Sequence, residues 1–217
     1  MNLIDYVRIL ARRGWIILLA MVLTAGSAYA FSKLQTPIYR STQKILIKPA
    51  RPDFGLTQTL KQLVTSWATR MDTDLRAKEA IDALNLDMTP EQLHRMVTVT
   101  PDLNQLQLNV DADMSNGDTA NRVAQVYGQK FIEWRNQENQ PLRLEDRINA
   151  ELLDSPRYGQ FRPNTAINVA AGALLGLLVG GVVVFVLEFM DSNIVRRAND
   201  VERYLQLPVL GTLPDNQ

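Results

Sequence analysis

Two stretches without a single charged side chain constrain this protein more than any other feature. Residues 15–31 run Trp-Ile-Ile-Leu-Leu-Ala-Met-Val-Leu-Thr-Ala-Gly-Ser-Ala-Tyr-Ala-Phe, and residues 166–187 are apolar or small throughout apart from Asn168. At 1.5 Å per residue, the 17 residues of the first give about 25 Å of helix and the 22 of the second about 33 Å. A bilayer's hydrocarbon core is about 30 Å thick. Lys33 can snorkel outward and Leu34 adds apolar length, so the first stretch also suffices. Backbone in lipid must satisfy its own polar groups, so both stretches are predicted to be helices. The chain is read as crossing a membrane twice.

Average composition conceals this. The chain is 46% hydrophobic and 21% charged, with 23 basic and 23 acidic side chains, as in an ordinary globular protein. Zero net charge gives nucleic acid no electrostatic footing, and no such partner is expected. The absence of cysteine excludes disulfides and thiolate metal sites.

Orientation follows from the flanks. Arg8, Arg12 and Arg13 precede the first span, whereas Lys33 alone follows it; Arg196 and Arg197 follow the second. Basic residues stay on the cytoplasmic side, which puts both termini there. Five segments result: an amphipathic N-terminal segment over 1–14, spans over 15–31 and 166–187, an exterior domain over 32–165, and a cytoplasmic tail over 188–217. A competing reading takes Ser27-Ala28-Tyr29-Ala30 as a signal-peptide cleavage site. Against it, Leu3, Ile4, Val7, Ile9 and Leu10 interleave with Asp5, Arg8 and Arg12, a pattern suited to a helix on the membrane surface. A mature N-terminus at Phe31 would decide for cleavage.

Within the second span, Gly172, Gly176 and Gly180 recur every four residues and fall on one helix face. Such a face lets another helix approach closely, and these three are the predicted helix-packing residues.

The 134 residues from 32 to 165 carry 17 basic and 17 acidic side chains. Residues 38–48 alternate like a strand and 49–55 read as a loop. Residues 56–71 and 74–84 have helical spacing, with Asp72 or Thr73 as cap for the second. Thr89-Pro90-Glu91 opens a short helix. Residues 96–101 and 103–110 read as two strands around a tight turn. Residues 119–138 follow as a helix whose apolar face is Ala120, Val123, Ala124, Tyr127, Phe131 and Trp134. A last strand is expected within 142–153, before a loop holding Pro156, Gly159 and Pro163. The expected fold class is therefore α+β, a small mixed sheet with packed helices between two transmembrane helices.

Little here carries chemistry. His94 is the only histidine, so a triad or histidine metal cluster lacks partners. No phosphate-binding loop motif occurs. Asp111 and Asp113 lie two apart at a strand end, as weak cation ligands or, better, a solvated turn; Asp72, Asp74 and Glu79 are read as helix-start charges. Trp67, Tyr127, Phe131 and Trp134 fit a core better than a sugar-stacking platform. No enzyme activity, metal or cofactor is expected.

The N-terminal Leu10-Ala11-Arg12-Arg13-Gly14-Trp15, the first span and the strand opening Tyr39-Arg40-Ser41-Thr42 together resemble the chain-length determinant (Wzz-type) family, also called polysaccharide co-polymerases. Ser155-Pro156 through Arg162-Pro163-Asn164 is similar to that family's proline-rich approach to the second span, though with fewer prolines. Glu188-Phe189-Met190-Asp191-Ser192-Asn193-Ile194, Asn199-Asp200-Val201-Glu202 and residues 205–214 resemble the stretch leading into a fused tyrosine autokinase. The chain stops just after Pro214, as in a form without that kinase.

The resemblance implies a bacterial inner-membrane protein. It would form rings of identical subunits and set the length of a surface polysaccharide (O-antigen, capsule or exopolysaccharide) beside a polymerase, without transferring sugar itself. It also implies contact with the growing polysaccharide and a tail that docks a separate tyrosine autokinase. The docking residues would be Val201, Tyr204 and Leu205 on a short helix and Leu207, Pro208, Val209, Leu210 and Gly211 on an extended strand suited to a partner's sheet edge. Packing of that strand on its own membrane helix is the plainer alternative. A sensor with a ligand-binding exterior domain is the competing function.

Overall fold

The structure is a computed structural model and describes residues 3–51 and 54–192. It divides into two compact units, one spanning Gln35–Pro163 and the other containing the first and last helices.

The Gln35–Pro163 unit is organised by β1 (Ile38–Pro49), twelve residues whose composition is that of a strand. Three helices follow: α2 (Phe54–Met71), α3 (Asp74–Leu84) and α4 (Pro90–Met96). Then come β2 (Val97–Asp102), β3 (Gln107–Met114), α5 (Gly117–Asn139), a 3-10 turn (Leu144–Asp146), β4 (Ile148–Leu152) and β5 (Arg157–Arg162). The sheet order is β2-β3-β1-β4, and β5 also pairs with β1. Strand β1 therefore holds β3 along one side and both β5 and β4 along the other, β5 over residues 38–42 and β4 over 45–49.

Every pairing is antiparallel, so the sheet is not the mixed one expected from sequence. The α+β class itself holds. A second correction concerns residues 157–162, expected as loop: they form β5, joined to β1 with a register irregularity between Ile38 and Tyr39. Tyr158 meets Tyr39 edge to face, with ring centroids 5.7 Å apart. Its ring also lies over Gly117, where an added Cβ would come within 2.3 Å of Tyr158 Cδ2. Gly117 is therefore a point of close approach as well as part of a helix start.

Burial alternates along the strands. Ser41, Gln43, Ile45 and Ile47 of β1, Leu108, Val110, Ala112 and Met114 of β3, and Val97 and Val99 of β2 are buried on one face. Packed against them is the predicted stripe of α5, from Ala120 to Trp134, with Leu60, Val64, Trp67 and Met71 of α2 and Leu93 of α4. The two polar members of β1's buried face are satisfied in part: Ser41 donates to Asn121 Oδ1 at 2.7 Å, and Gln43 Nε2 donates to the Asp154 carbonyl at 2.8 Å.

Residues 103–106 make the β2–β3 turn, with Leu106 at φ 50°, so β3 begins later than the sequence pattern placed it and runs on to Met114. Helix α3 starts after Thr73, which makes no side-chain cap bond. Helix α4 is better terminated. Thr89 Oγ1 accepts from the Gln92 amide at 3.3 Å, and Gln92 Oε1 accepts from the Thr89 amide at 3.0 Å. This capping box satisfies two otherwise orphaned donors. Thr89→Ala is expected to lower stability by about 1 kcal/mol, read as a shifted denaturation midpoint at unchanged slope.

The other unit consists of α1 (Leu3–Leu34) and α6 (Thr165–Ser192). Helix α1 runs without interruption through residues 14 and 15. Over 11–34 and 165–191 the two helices are long and apolar enough to cross a membrane.

Candidate functional site

The predicted glycine face lies against α1 of the same chain. A Cβ added at Gly172 would sit 2.8 Å from Ala28 Cβ and 2.9 Å from the Thr24 carbonyl oxygen. At Gly176 it would meet Thr24 Oγ1 at 2.1 Å and Met21 Cα at 2.6 Å; at Gly180, Ile17 Cα at 2.8 Å. By contrast, Gly181 has nothing within 4 Å. Small side chains on α1 (Ala20, Ala25, Ala28) complete the contact, the arrangement by which membrane helices gain van der Waals packing without a hydrophobic drive. Thr24 stays self-satisfied, its hydroxyl donating to the Ala20 and Met21 carbonyls at 2.9 and 3.1 Å.

Both ends of this helix pair are fastened by polar groups that the sequence reading did not connect. At one end, buried Ser32 donates to Thr165 Oγ1 at 3.2 Å and accepts from Asn168 Nδ2 at 3.2 Å. At the other, Arg13 Nε lies 3.5 Å from Glu188, and its guanidinium also bonds Asp191. The signals were present singly: Asn168 is the one polar residue of its stretch, and Arg13 mirrors Glu188 and Asp191 across the two spans. The proposed docking residues Val201, Tyr204, Leu205, Leu207, Pro208, Val209, Leu210 and Gly211 lie outside the described residues.

In the Gln35–Pro163 unit, Asp111 and Asp113 stand within β3, not in a solvated turn, because the strand runs through to Met114. Register places Arg40 opposite Asp113 and Thr42 opposite Asp111. Arg40 Nε and Nη2 donate to the two Asp113 oxygens at 2.6 Å each, and Thr42 donates to Asp111 at 2.5 Å. The hydrogen bond that Arg40 donates to Asp113 raises the Arg40 pKa, against a smaller opposing effect of burial. Arg40 also stacks on Phe161 of β5, Cζ to ring centroid 3.5 Å. His94 bridges Asp74 (Nδ1, 2.8 Å) and Asp72 (Nε2, 3.2 Å), tying α4 to the start of α3. Glu79 pairs with Arg76 at 2.7 Å within α3 rather than serving its first turn.

Trp67, Tyr127, Phe131 and Trp134 are all buried. Burial, seconded by Asp72, Asp74 and Glu79, pushes the Tyr127 phenol well up from its usual range. Phe131 lies 6.1 Å from Trp67 and 5.7 Å from Trp134, centroid to centroid. One neighbour was not anticipated: Arg135, also buried, with Cζ 4.3 Å from the Trp67 ring centroid. Exposed Arg70 also places its Cζ 4.6 Å from the Trp134 ring centroid.

The family described as Wzz, chain length determinant protein, matches residues 1–84. The chain is 27% identical over 210 residues to the probable capsular polysaccharide biosynthesis protein YwqC of Bacillus subtilis, covering 91% of this chain and 82% of that protein. It is 26% identical over 225 residues to the capsular polysaccharide biosynthesis protein CpsC of Streptococcus pneumoniae, covering 99% and 94%. A solved structure described as a full-length bacterial polysaccharide co-polymerase aligns over 90% of this chain and 100% of that one, with a TM-score of 0.47 and 13% identity. The chain is thus similar to the chain length determinant family over its first 84 residues, and to capsular polysaccharide biosynthesis proteins over nearly its whole length. That family consists of chain-length regulators and is not a catalytic one. Two of its helices are long and apolar enough to cross a membrane, as a two-pass membrane protein requires.

Proposed function

We propose that this protein sets the length of a bacterial surface polysaccharide of the capsular type, acting in the inner membrane as a ring of identical subunits beside the polymerase. The carrying observation is the likeness to two capsular polysaccharide biosynthesis proteins over 91% and 99% of the chain. Its layout supports the same reading: one compact α+β domain lies between two helices fit to cross a membrane. Both termini are cytoplasmic in this reading, since Arg12 and Arg13 flank the first span and Arg196 and Arg197 follow the second. The domain of residues 35–163 then faces outward and meets the growing chain, and the tail docks a separate tyrosine autokinase. Each subunit contributes regulation; the polymerase makes the glycosidic bonds.

Two measurements test this. Deleting the gene should change the length distribution of the surface polysaccharide, and restoring the full chain should return it. Extracted in mild detergent, the protein should run as a discrete multimer of 24.5 kDa subunits, larger than a dimer. A monomer or dimer in every detergent would overturn the ring, and an unchanged polysaccharide would favour the ligand-sensing alternative.

A further inference from the structure

Arg135 is a buried cation with no ion-paired counter-charge among the described residues; Glu138, one helical turn away, attracts it only at longer range. Nor does any carboxylate among them form an ion pair with Arg70, whereas Arg13, Arg40 and Arg76 each have one. Arg135 Nη2 has only weak acceptors, Asn139 Oδ1 at 3.2 Å and the Ile148 carbonyl at 3.4 Å. Two further buried donors of the same cluster, Arg135 Nε and Trp134 Nε1, have no hydrogen-bond partner.

The cluster is thus rich in donors and short of acceptors. Burying a guanidinium unpaired is costly, and stacking on Trp67 and on Trp134 (5.3 Å) offsets only part of that cost. Burial accordingly pulls the Arg135 pKa down. An anion placed here would restore the balance. Arg70 is the exposed member, and its guanidinium lies over the Trp134 ring.

We propose that Arg70, Trp134 and Arg135 form a binding site for the carboxylate of an acidic sugar unit, with Arg70 as its exposed member. This rests on the chain-length reading, which brings a saccharide to this domain. The chemistry favours a sugar acid because its carboxylate matches the guanidinium fork while its C–H face suits the indole.

The test uses the full chain in detergent with Trp15→Phe, so that Trp67 and Trp134 alone report fluorescence. Oligogalacturonate should produce a saturable change, and a neutral maltooligosaccharide of equal length should not. Arg70→Gln, at an exposed position, should weaken binding roughly tenfold. Arg135→Lys keeps the charge but loses the planar stack, and should weaken it as well once circular dichroism has shown a native fold. No response to the uronate, an equal response to the neutral sugar, sulfate as effective as the uronate, or an unaltered Arg70→Gln would each overturn the site. If deletion still changes polysaccharide length when the titration fails, the site falls and the function stands. If deletion changes nothing, the reading beneath both is lost.

Discussion

Replacing Gly176 with valine should drive α1 and α6 apart. The new Cβ would meet Thr24 Oγ1 at 2.1 Å, Met21 Cα at 2.6 Å and the Ala20 carbonyl oxygen at 2.7 Å. Thr24 can rotate its hydroxyl away, but the other two atoms are backbone and cannot yield without moving the helix. Overpacking a close contact costs about 1–3 kcal/mol, and the clash with main chain points to the upper part of that range. Lipid tails supply no hydrophobic force to push the helices back together, so lost van der Waals contact is not recovered.

Ser32→Cys with Thr165→Cys offers a direct gauge. Those side chains touch at 3.2 Å, and the chain has no cysteine to interfere. Oxidative crosslinking should be efficient in that background and fall sharply when Gly176→Val is added. Gly181→Val is the control, because nothing lies within 4 Å of that position. Crosslinking that survives Gly176→Val would show that the glycine face is not what seats the two helices.

Phe131→Ala should cost about 3–5 kcal/mol, the range for emptying a fully buried aromatic site. Phe131 has no exposed surface and completes a triangle of rings with Trp67 and Trp134, which also meet each other at 6.1 Å, so its loss leaves a void beside both indoles. Domains of this kind are stable by only about 5–15 kcal/mol, so a large part of that margin would go. Thermal unfolding followed by tryptophan fluorescence should shift by many degrees, and control of polysaccharide length should weaken with it. Phe131→Leu, which refills most of the volume, should restore most of the stability. A Phe131→Ala protein as stable as the parent would mean that the aromatic cluster is not packed as described.

What the sequence made legible depended on whether the signal was local. The second span announced itself as 22 residues with one polar exception. The α5 stripe was equally readable, since burying one side of a helix leaves a 3.6-residue period from Ala120 to Trp134. Strand β5 was not readable. Its residues Arg157–Arg162 are all exposed, so no alternation marks them, and prolines at 156 and 163 suggest a loop. It is a strand only because β1 supplies the hydrogen bonds and Gly117 leaves room for Tyr158, both distant in sequence.

The same limit governed the candidate sites. The spacing of Gly172, Gly176 and Gly180 defined a face but could not name what lies on it. Asp111 and Asp113 looked like free carboxylates because their partners are fixed by cross-strand register, which composition does not encode. Arg135 interrupts no pattern, being one polar letter beside an apolar stripe, and its place against Trp67 exists only in three dimensions.

The pairing of β1 with β5 has a mechanical consequence. The chain enters the Gln35–Pro163 unit near Ile38 and leaves it near Arg162, and those two residues face each other as the terminal rung of an antiparallel ladder. A load pulling these points apart would act across the strands rather than along them, opening the ladder like a zipper, one rung at a time. Such a geometry yields at low force, whereas a load along the strands would have to break all the rungs together. The fold is thus weakest against tension between its own entry and exit, so steady spacing of those two points is a condition of its survival.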